Sequence, residues 1–402
     1  MKEQKSIRNR RDFLKKVGIS SLPFLIPSLA LGKNSQTDIE EINTQKVPVY
    51  FYSDGNGLSY SPHAYLQKLN EINKEKPIQL DFYGNGGSTS ELEKEFAKIT
   101  DKEKAIYLPT GTMANQIAIK LLNEEKTKVI VPENSHVFRD EADAAQSVHN
   151  KRLIPIGKGK HYFDLNDLKN SINYLNRGEV FKSGLGTVVI ENPVRRADGR
   201  SVPLKTIKEI SNYCKSNGYR LHLDGARIHL ASAYTDVSIV EYASYFDTVY
   251  ISLYKYLNAT GGAILCGDAE FIDQISHQIK IHGGTMYQNW NNTSIALHYL
   301  NGINKRWKRV VKSTNELISE LNKINGISIK KLNNGTNIYD LQFGSNIDFR
   351  GLANSLSKNY NIKLRRISEN GFVKFSVNES LLSINTKDMI NIWKKETKKF
   401  QR

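Results

Sequence analysis

Arg220-Leu221-His222-Leu223-Asp224-Gly225-Ala226-Arg227 decides how the rest of this chain is read, because an apolar run here stops on a carboxylate. The run lacks the polar alternation of a strand with one wet face, so it reads as a short strand covered on both sides. Val129-Ile130-Val131, Thr187-Val188-Val189-Ile190, Thr248-Val249-Tyr250-Ile251 and Gly262-Ala263-Ile264-Leu265 have the same texture. Helical periodicity covers residues 91–99 and 113–122, and further helical stretches lie between the strands. Helices alternating with covered strands predict an α/β fold around a large, mainly parallel sheet. Past about residue 290 the texture changes. One long helical stretch, 293–325, leads into short strands at 327–332, 337–343 and 371–377 and helices at 349–359 and 386–400. The chain therefore divides into an N-terminal segment, 33–82, a large domain, 83–290, and a smaller C-terminal α+β domain, 291–402.

The 402 residues suffice for two such lobes, and 39% hydrophobic with 24% charged residues is a globular composition. A net charge of +16 invites a nucleic-acid partner, but eight of the basic side chains lie within residues 1–33. No zinc-finger, helix-turn-helix or RNA-binding aromatic pattern accompanies the others, so solvated lysines are expected and no nucleic acid. Cys214 and Cys266 stand in no CxxC or CxxH setting, which predicts two buried free thiols and no metal site. Arg10-Arg11-Asp12-Phe13-Leu14-Lys15 matches the twin-arginine pattern R-R-x-F-L-K, and the apolar run that follows is broken by Pro23 and Pro27. That run is too short and too interrupted to span a bilayer. Residues 1–32 read as an export signal, which implies a periplasmic protein with no stable membrane span after its removal.

Four elements carry chemistry, and each has an ordinary reading when taken alone. Thr110-Gly111-Thr112 opens a helix whose free N–H groups suit a phosphate, although many helices begin with such a cap. His136 lies just past the strand at Val129, where open α/β sheets bind ligands, and its flat ring could stack on a heterocycle. Alone it is more often a structural histidine. Asp224 is costly to bury without a cation, and a protonated pyridine nitrogen would be one; an internal pair with Arg227 would be another. Lys255 follows the strand at Thr248, and a partly desolvated amine there has the lowered pKa that imine formation requires. In that order, the four are what an enzyme using pyridoxal 5′-phosphate needs.

The motifs around these residues resemble the threonine aldolase/β-eliminating lyase family of fold-type I, aspartate-aminotransferase-like enzymes. Thr110-Gly111-Thr112-Met113-Ala114-Asn115-Gln116 is similar to the family's S-G-T-M-A-N-Q, and Ser135-His136-Val137-Phe138 to its stacking-histidine segment. Ile190-Glu191-Asn192 with Arg196 and Gly199-Arg200-Ser201-Val202-Pro203-Leu204 resembles I-E-N-x-x-x-R-x-G-G-R-x-x-P-L. His222 to Ile228 is close to H-x-D-G-A-R-x, and Gly283-Gly284-Thr285-Met286 to G-G-x-M. The resemblance implies that Lys255 carries the cofactor as a Schiff base, Asp224 pairs with the ring nitrogen and His136 stacks on the ring. Gly111 and Thr112 would hold the phosphate, and Arg227 the ring hydroxyl or a substrate carboxylate. Ser53, Tyr83, Arg196 and Lys374 would meet the substrate, and a homodimer or homotetramer with sites at subunit boundaries is implied.

The substrate half departs from the family. Its V-R-F reads Val373-Lys374-Phe375, and lysine keeps the charge but loses the two-pronged donor. Arg365 or Arg366 stands as a candidate substitute. Tyr254 and Tyr256 flank the lysine where the family has serine and glycine, which would suit a bulkier or aromatic substrate. The expected reaction is cleavage of the Cα–Cβ bond of a β-hydroxy amino acid to glycine and an aldehyde, with His136 as candidate base. β-Elimination, racemisation or another lyase reaction is the second reading, and a non-catalytic relative that binds a ligand is the third.

Overall fold

In the computed structural model, residues 48–52 and 57–402 are described. The twin-arginine segment and Ser53 lie outside them. Among the described residues no helix is long and apolar enough to cross a membrane.

Seven of the strands form one sheet: β2 (Lys104–Leu108), β3 (Lys128–Pro132), β4 (Arg152–Ile156), β5 (Leu185–Glu191), β6 (Arg220–Asp224), β7 (Thr248–Ser252) and β8 (Ala263–Gly267). Their spatial order is β2-β8-β7-β6-β5-β3-β4. The pairs β3/β4, β3/β5, β5/β6 and β6/β7 are parallel, whereas β8 runs antiparallel to both β2 and β7. Two antiparallel steps restore direction, so β2 points the same way as β7. The carboxyl ends of β2, β3, β5, β6 and β7 therefore share one edge, and Thr110, His136, Asp224 and Lys255 lie at or just past those ends. Every residue of β3, β7 and β8 is buried, as the run of Val and Ile without alternation requires. Across the sheet lies the helix Gly111–Asn123, capped by Thr110, whose hydroxyl accepts from Met113 N–H. Its Ala114, Ile117 and Ala118 pack against Tyr250, Ala263 and Leu265, so the helix start is held at the sheet's carboxyl edge.

Two smaller sheets follow the C-terminal texture. An antiparallel one has order β12 (Phe372–Ser376), β10 (Ile338–Phe343), β9 (Ile327–Lys331). The other pairs β1 (Val49–Phe51) in parallel with β11 (Ile362–Leu364), joining the start of the described chain to its C-terminal part. The expected long helix over 293–325 is two, Trp290–Leu300 and Ile303–Leu321. Gly302 divides them at φ +70°, a left-handed conformation that an α-helix cannot contain. Cys214 and Cys266 are free and buried, and burial pushes both thiols up to about 12.

Candidate active site at the carboxyl edge of the sheet

Asp224 is the last residue of β6 and Glu191 the last of β5, and the two stand in register on neighbouring strands. Both are buried. Asp224 Oδ1 accepts from Ala226 N–H at 3.2 Å and Oδ2 from Asn115 Nδ2 at 3.2 Å, two neutral donors at long range. Glu191 accepts from the N–H groups of His136 and Arg195, each at 2.7 Å. Even so, burial first and then the Asp224 charge push its carboxyl well above the usual range.

Asn115 sits one turn into the Gly111–Asn123 helix and ties the edge together. Its amide nitrogen donates to Asp224 and to Glu141 Oε1 (2.8 Å), and its Oδ1 accepts from His222 Nε2 at 3.0 Å. Because that oxygen can only accept, His222 carries its proton on Nε2, and Nδ1 accepts from the Thr248 hydroxyl at 2.7 Å. His222 is wholly buried, and desolvation lowers its pKa to about 4, so it serves as a fixed neutral donor. His136 begins a short turn after β3, and its Nδ1 lies 2.9 Å from Glu141 Oε1. That hydrogen bond raises the imidazole pKa against its own desolvation, while burial raises the Glu141 carboxyl. With Nδ1 given to Glu141, Nε2 is the nitrogen left to take a proton.

Lys255 follows β7 and is buried. Desolvation first, then the Arg227 charge, lowers its amine to about 7. Its Nζ lies 4.7 Å from the Tyr254 ring centroid and 6.0 Å from that of Tyr250. The Tyr250 hydroxyl also lies under Gly111, where a Cβ would come within 2.0 Å of it. The glycine is thus a packing requirement as well as the start of a helix with open N–H groups.

These residues fit a phosphorylated pyridine. Asp224 is a buried carboxylate met by two long neutral bonds, Lys255 is a buried amine near neutrality, and Thr110-Gly111-Thr112 opens the helix beside them. His136, Glu141 and Asp224 also bring ligand atoms within 4.8 Å of one another, close enough for a metal ion. The Asn115 amide already bridges the two carboxylates, however, and an ion would have to displace it.

The expected substrate residues separate into two groups. Arg196, Arg227 and Lys374 line one cavity of about 330 Å³. Within it Arg196 grips Asp140 with two nitrogens, and Lys374 donates to Asp198 (2.9 Å) and Asp340 (2.7 Å). Tyr83 is elsewhere. It occupies an exposed turn at φ +52°, beside a cavity of about 470 Å³ lined also by Lys280 and Met286. Tyr254 stands beside the lysine as expected, but Tyr256 is buried with its ring 5.1 Å from that of Trp307, a core contact. The structure adds Asn115, Glu141 and Glu191 to the expected residues, the first and last of them from within the motifs quoted above. Glu191 carries the same signal as Asp224, a carboxylate closing an apolar strand.

Comparison with known proteins places these motifs in context. A model of the beta-eliminating lyase family matches residues 75–343. The low-specificity L-threonine aldolase of Candida albicans is 33% identical over 218 residues, 54% of this chain and 58% of that protein. An alanine racemase of Cochliobolus carbonum is 31% identical over 211 residues, 52% of this chain and 53% of that one. The matched stretch thus spans little more than half the length of these curated relatives. A crystal structure of a candidate L-allo-threonine aldolase from Listeria monocytogenes superposes with a TM-score of 0.71 at 24% identity, covering 89% of this chain and 97% of that one. At that identity the likeness speaks for the fold.

Proposed function

Because this chain belongs to the beta-eliminating lyase family, we propose that it is a threonine-aldolase-like lyase. It cleaves the Cα–Cβ bond of a β-hydroxy amino acid, giving glycine and an aldehyde. The observation that carries this reading is the single edge at which a near-neutral Lys255, a buried Asp224 and a Glu141-bound His136 converge. When bound, pyridoxal 5′-phosphate supplies an electron-withdrawing ring that drains charge from Cα as the bond breaks. Lys255 anchors that group through its amine. Asp224 would hold the ring nitrogen, with Asn115 fixing the carboxylate's angle. The N–H groups at Gly111 and Thr112 take the phosphate. His136 covers the ring, and its Nε2 accepts the β-hydroxyl proton, directly or through a water, while Glu141 stabilises the imidazolium. Arg227 lies where it can hold a ring hydroxyl or a carboxylate.

Absorption spectra of wild type and Lys255→Ala, before and after borohydride, test the anchor. A visible band in wild type that borohydride bleaches, and that the variant lacks, is the expected result; a protein that stays colourless with added cofactor sinks the reading. Release of glycine from L-threonine or a phenylserine then identifies the bond broken. Racemisation remains the second reading because of the alanine racemase relative, and D-alanine formed from L-alanine without glycine from L-threonine would favour it.

The exposed Tyr83 supports a homodimer or homotetramer in which one copy's turn reaches its partner's site. The Arg10-Arg11 pattern supports export by the twin-arginine route to the periplasm. Replacing both arginines with lysine should retain the protein in the cytoplasm.

A further inference from the structure

The 330 Å³ cavity is lined by five cations, Arg195, Arg196, Arg227, Arg365 and Lys374, and by one anion, Asp198. Most of that positive charge is already answered. Asp140 accepts from Arg195 at 3.0 Å and from Arg196 through both carboxylate oxygens. Lys374 lies between Asp198 and Asp340, which take two of its three donors and leave that group with net negative charge. Arg227 is buried, and the phenol of buried Tyr256 lies within its reach. Arg365 differs: it is exposed and has no hydrogen bond or ion pair among the described residues. It directly follows β11, whose last residue, Leu364, pairs in register with Phe51 of β1. The strand pair therefore sets Arg365 on firm backbone at the cavity's rim while its guanidinium stays uncommitted.

We propose that Arg365, and not Lys374, is the residue that takes the substrate's carboxylate, and that Lys374 is a positioning residue that holds Asp198 and Asp340 away from it. The choice of ligand rests on the lyase reading above; the choice of residue rests on the charge arrangement alone. A guanidinium offers two parallel N–H donors that match a carboxylate, whereas an ammonium shared by two acids has no such face left. The ligand class is a single carboxylate on a small amino acid.

The test is calorimetric titration of the holoprotein with 3-hydroxypropanoate, which carries a carboxylate and a β-hydroxyl but no amine. Arg365→Gln should weaken binding at least about tenfold, with Arg365→Lys between it and wild type. Arg366→Gln removes the same charge one residue away, outside the cavity lining, and should stay within about twofold. For the lyase reaction, Arg365→Gln should raise KM far more than it lowers kcat. Thermal melting of the variants should match wild type, since Arg365 holds nothing in the fold. Equal affinity in wild type and Arg365→Gln, equal losses in both glutamine variants, or no saturable binding by wild type would each overturn the assignment. The borohydride-sensitive band reads the cofactor separately. If Arg365→Gln keeps the band and the affinity, the carboxylate assignment to Arg365 is wrong and the lyase reading is untouched; if wild type lacks the band, that reading fails whatever the titration gives.

Discussion

Lys255 bears a cost that its neighbours do not remove. A lysine amine is charged below about 10.4 in water, but here burial holds it near 7. Between those values the unfolded chain binds a proton that the folded apoprotein does not, so stability rises with pH across the window. The full penalty applies below about pH 7 and vanishes above the unfolded pKa. At about 1.4 kcal/mol per unit, Lys255→Met should stabilise the apoprotein by roughly 3–5 kcal/mol at pH 6, and by progressively less toward pH 10. Urea unfolding of both apoproteins at several pH values measures this, and a gap that does not change with pH would mean the amine is solvated. Lys255, Asp224 and His136 were legible in the sequence for one physical reason, polar groups at or just past the ends of apolar strands. Glu191 obeys the same rule. Asn115 and Glu141 could not be read this way, because their meaning arises only where a helix crosses the strands. That Lys374 lies between Asp198 and Asp340 could not be read at all, because the two acids are remote in sequence.

At the scale of elements, the Gly111–Asn123 helix links anchor, ring and phosphate. Its first residue is pressed against Tyr250 of β7, and its fifth, Asn115, holds Asp224 of β6. A methyl group at Gly111 must push the buried Tyr250 hydroxyl, and with it the helix start, away from the Lys255 turn. Gly111→Ala should therefore lower cofactor affinity at least about tenfold, and adding Tyr250→Phe, which frees the space of one oxygen, should restore part of it. Spectroscopic titration with pyridoxal 5′-phosphate compares the three proteins, and an unchanged affinity in Gly111→Ala would show that the helix start is not part of the cradle. The large sheet was readable because strands covered on both faces lose their polar residues. β2 and β4 were not: the burial of both is mixed, and Pro155 stands within β4. Nor was the β1–β11 pair, three residues on each side, whose partners are more than 300 residues apart in sequence. The break at Gly302 was visible as a glycine, but the helical periodicity on either side concealed it.

The molecule as a whole leaves an aromatic surface uncovered beside its second cavity. Phe82, Tyr83, Met286 and Tyr287 are each half-exposed or more, at 50%, 57%, 52% and 57%. The Tyr287 ring lies 5.7 Å from Phe82 and 5.4 Å from Tyr83, and Tyr83 N–H donates to the Tyr287 carbonyl at 2.9 Å. The patch is thus a built surface, since two remote turns are bonded to each other beneath it. Contiguous apolar area of this kind usually marks a contact with another protein. A second copy is the occupant that also explains why Tyr83 lines a different cavity from Arg196, Arg227 and Lys374 in its own chain. Sedimentation equilibrium should find a dimer or tetramer, and Phe82→Ser with Tyr287→Ser should shift it toward monomer. If each site borrows a turn from its partner, the double variant should lose lyase activity in dilute solution and regain it as protein concentration rises. Cofactor retention should change less, because Lys255, Asp224 and Gly111 come from one chain. A wild-type monomer with full activity would remove this role from the patch and would leave Tyr83 without a place in the chemistry.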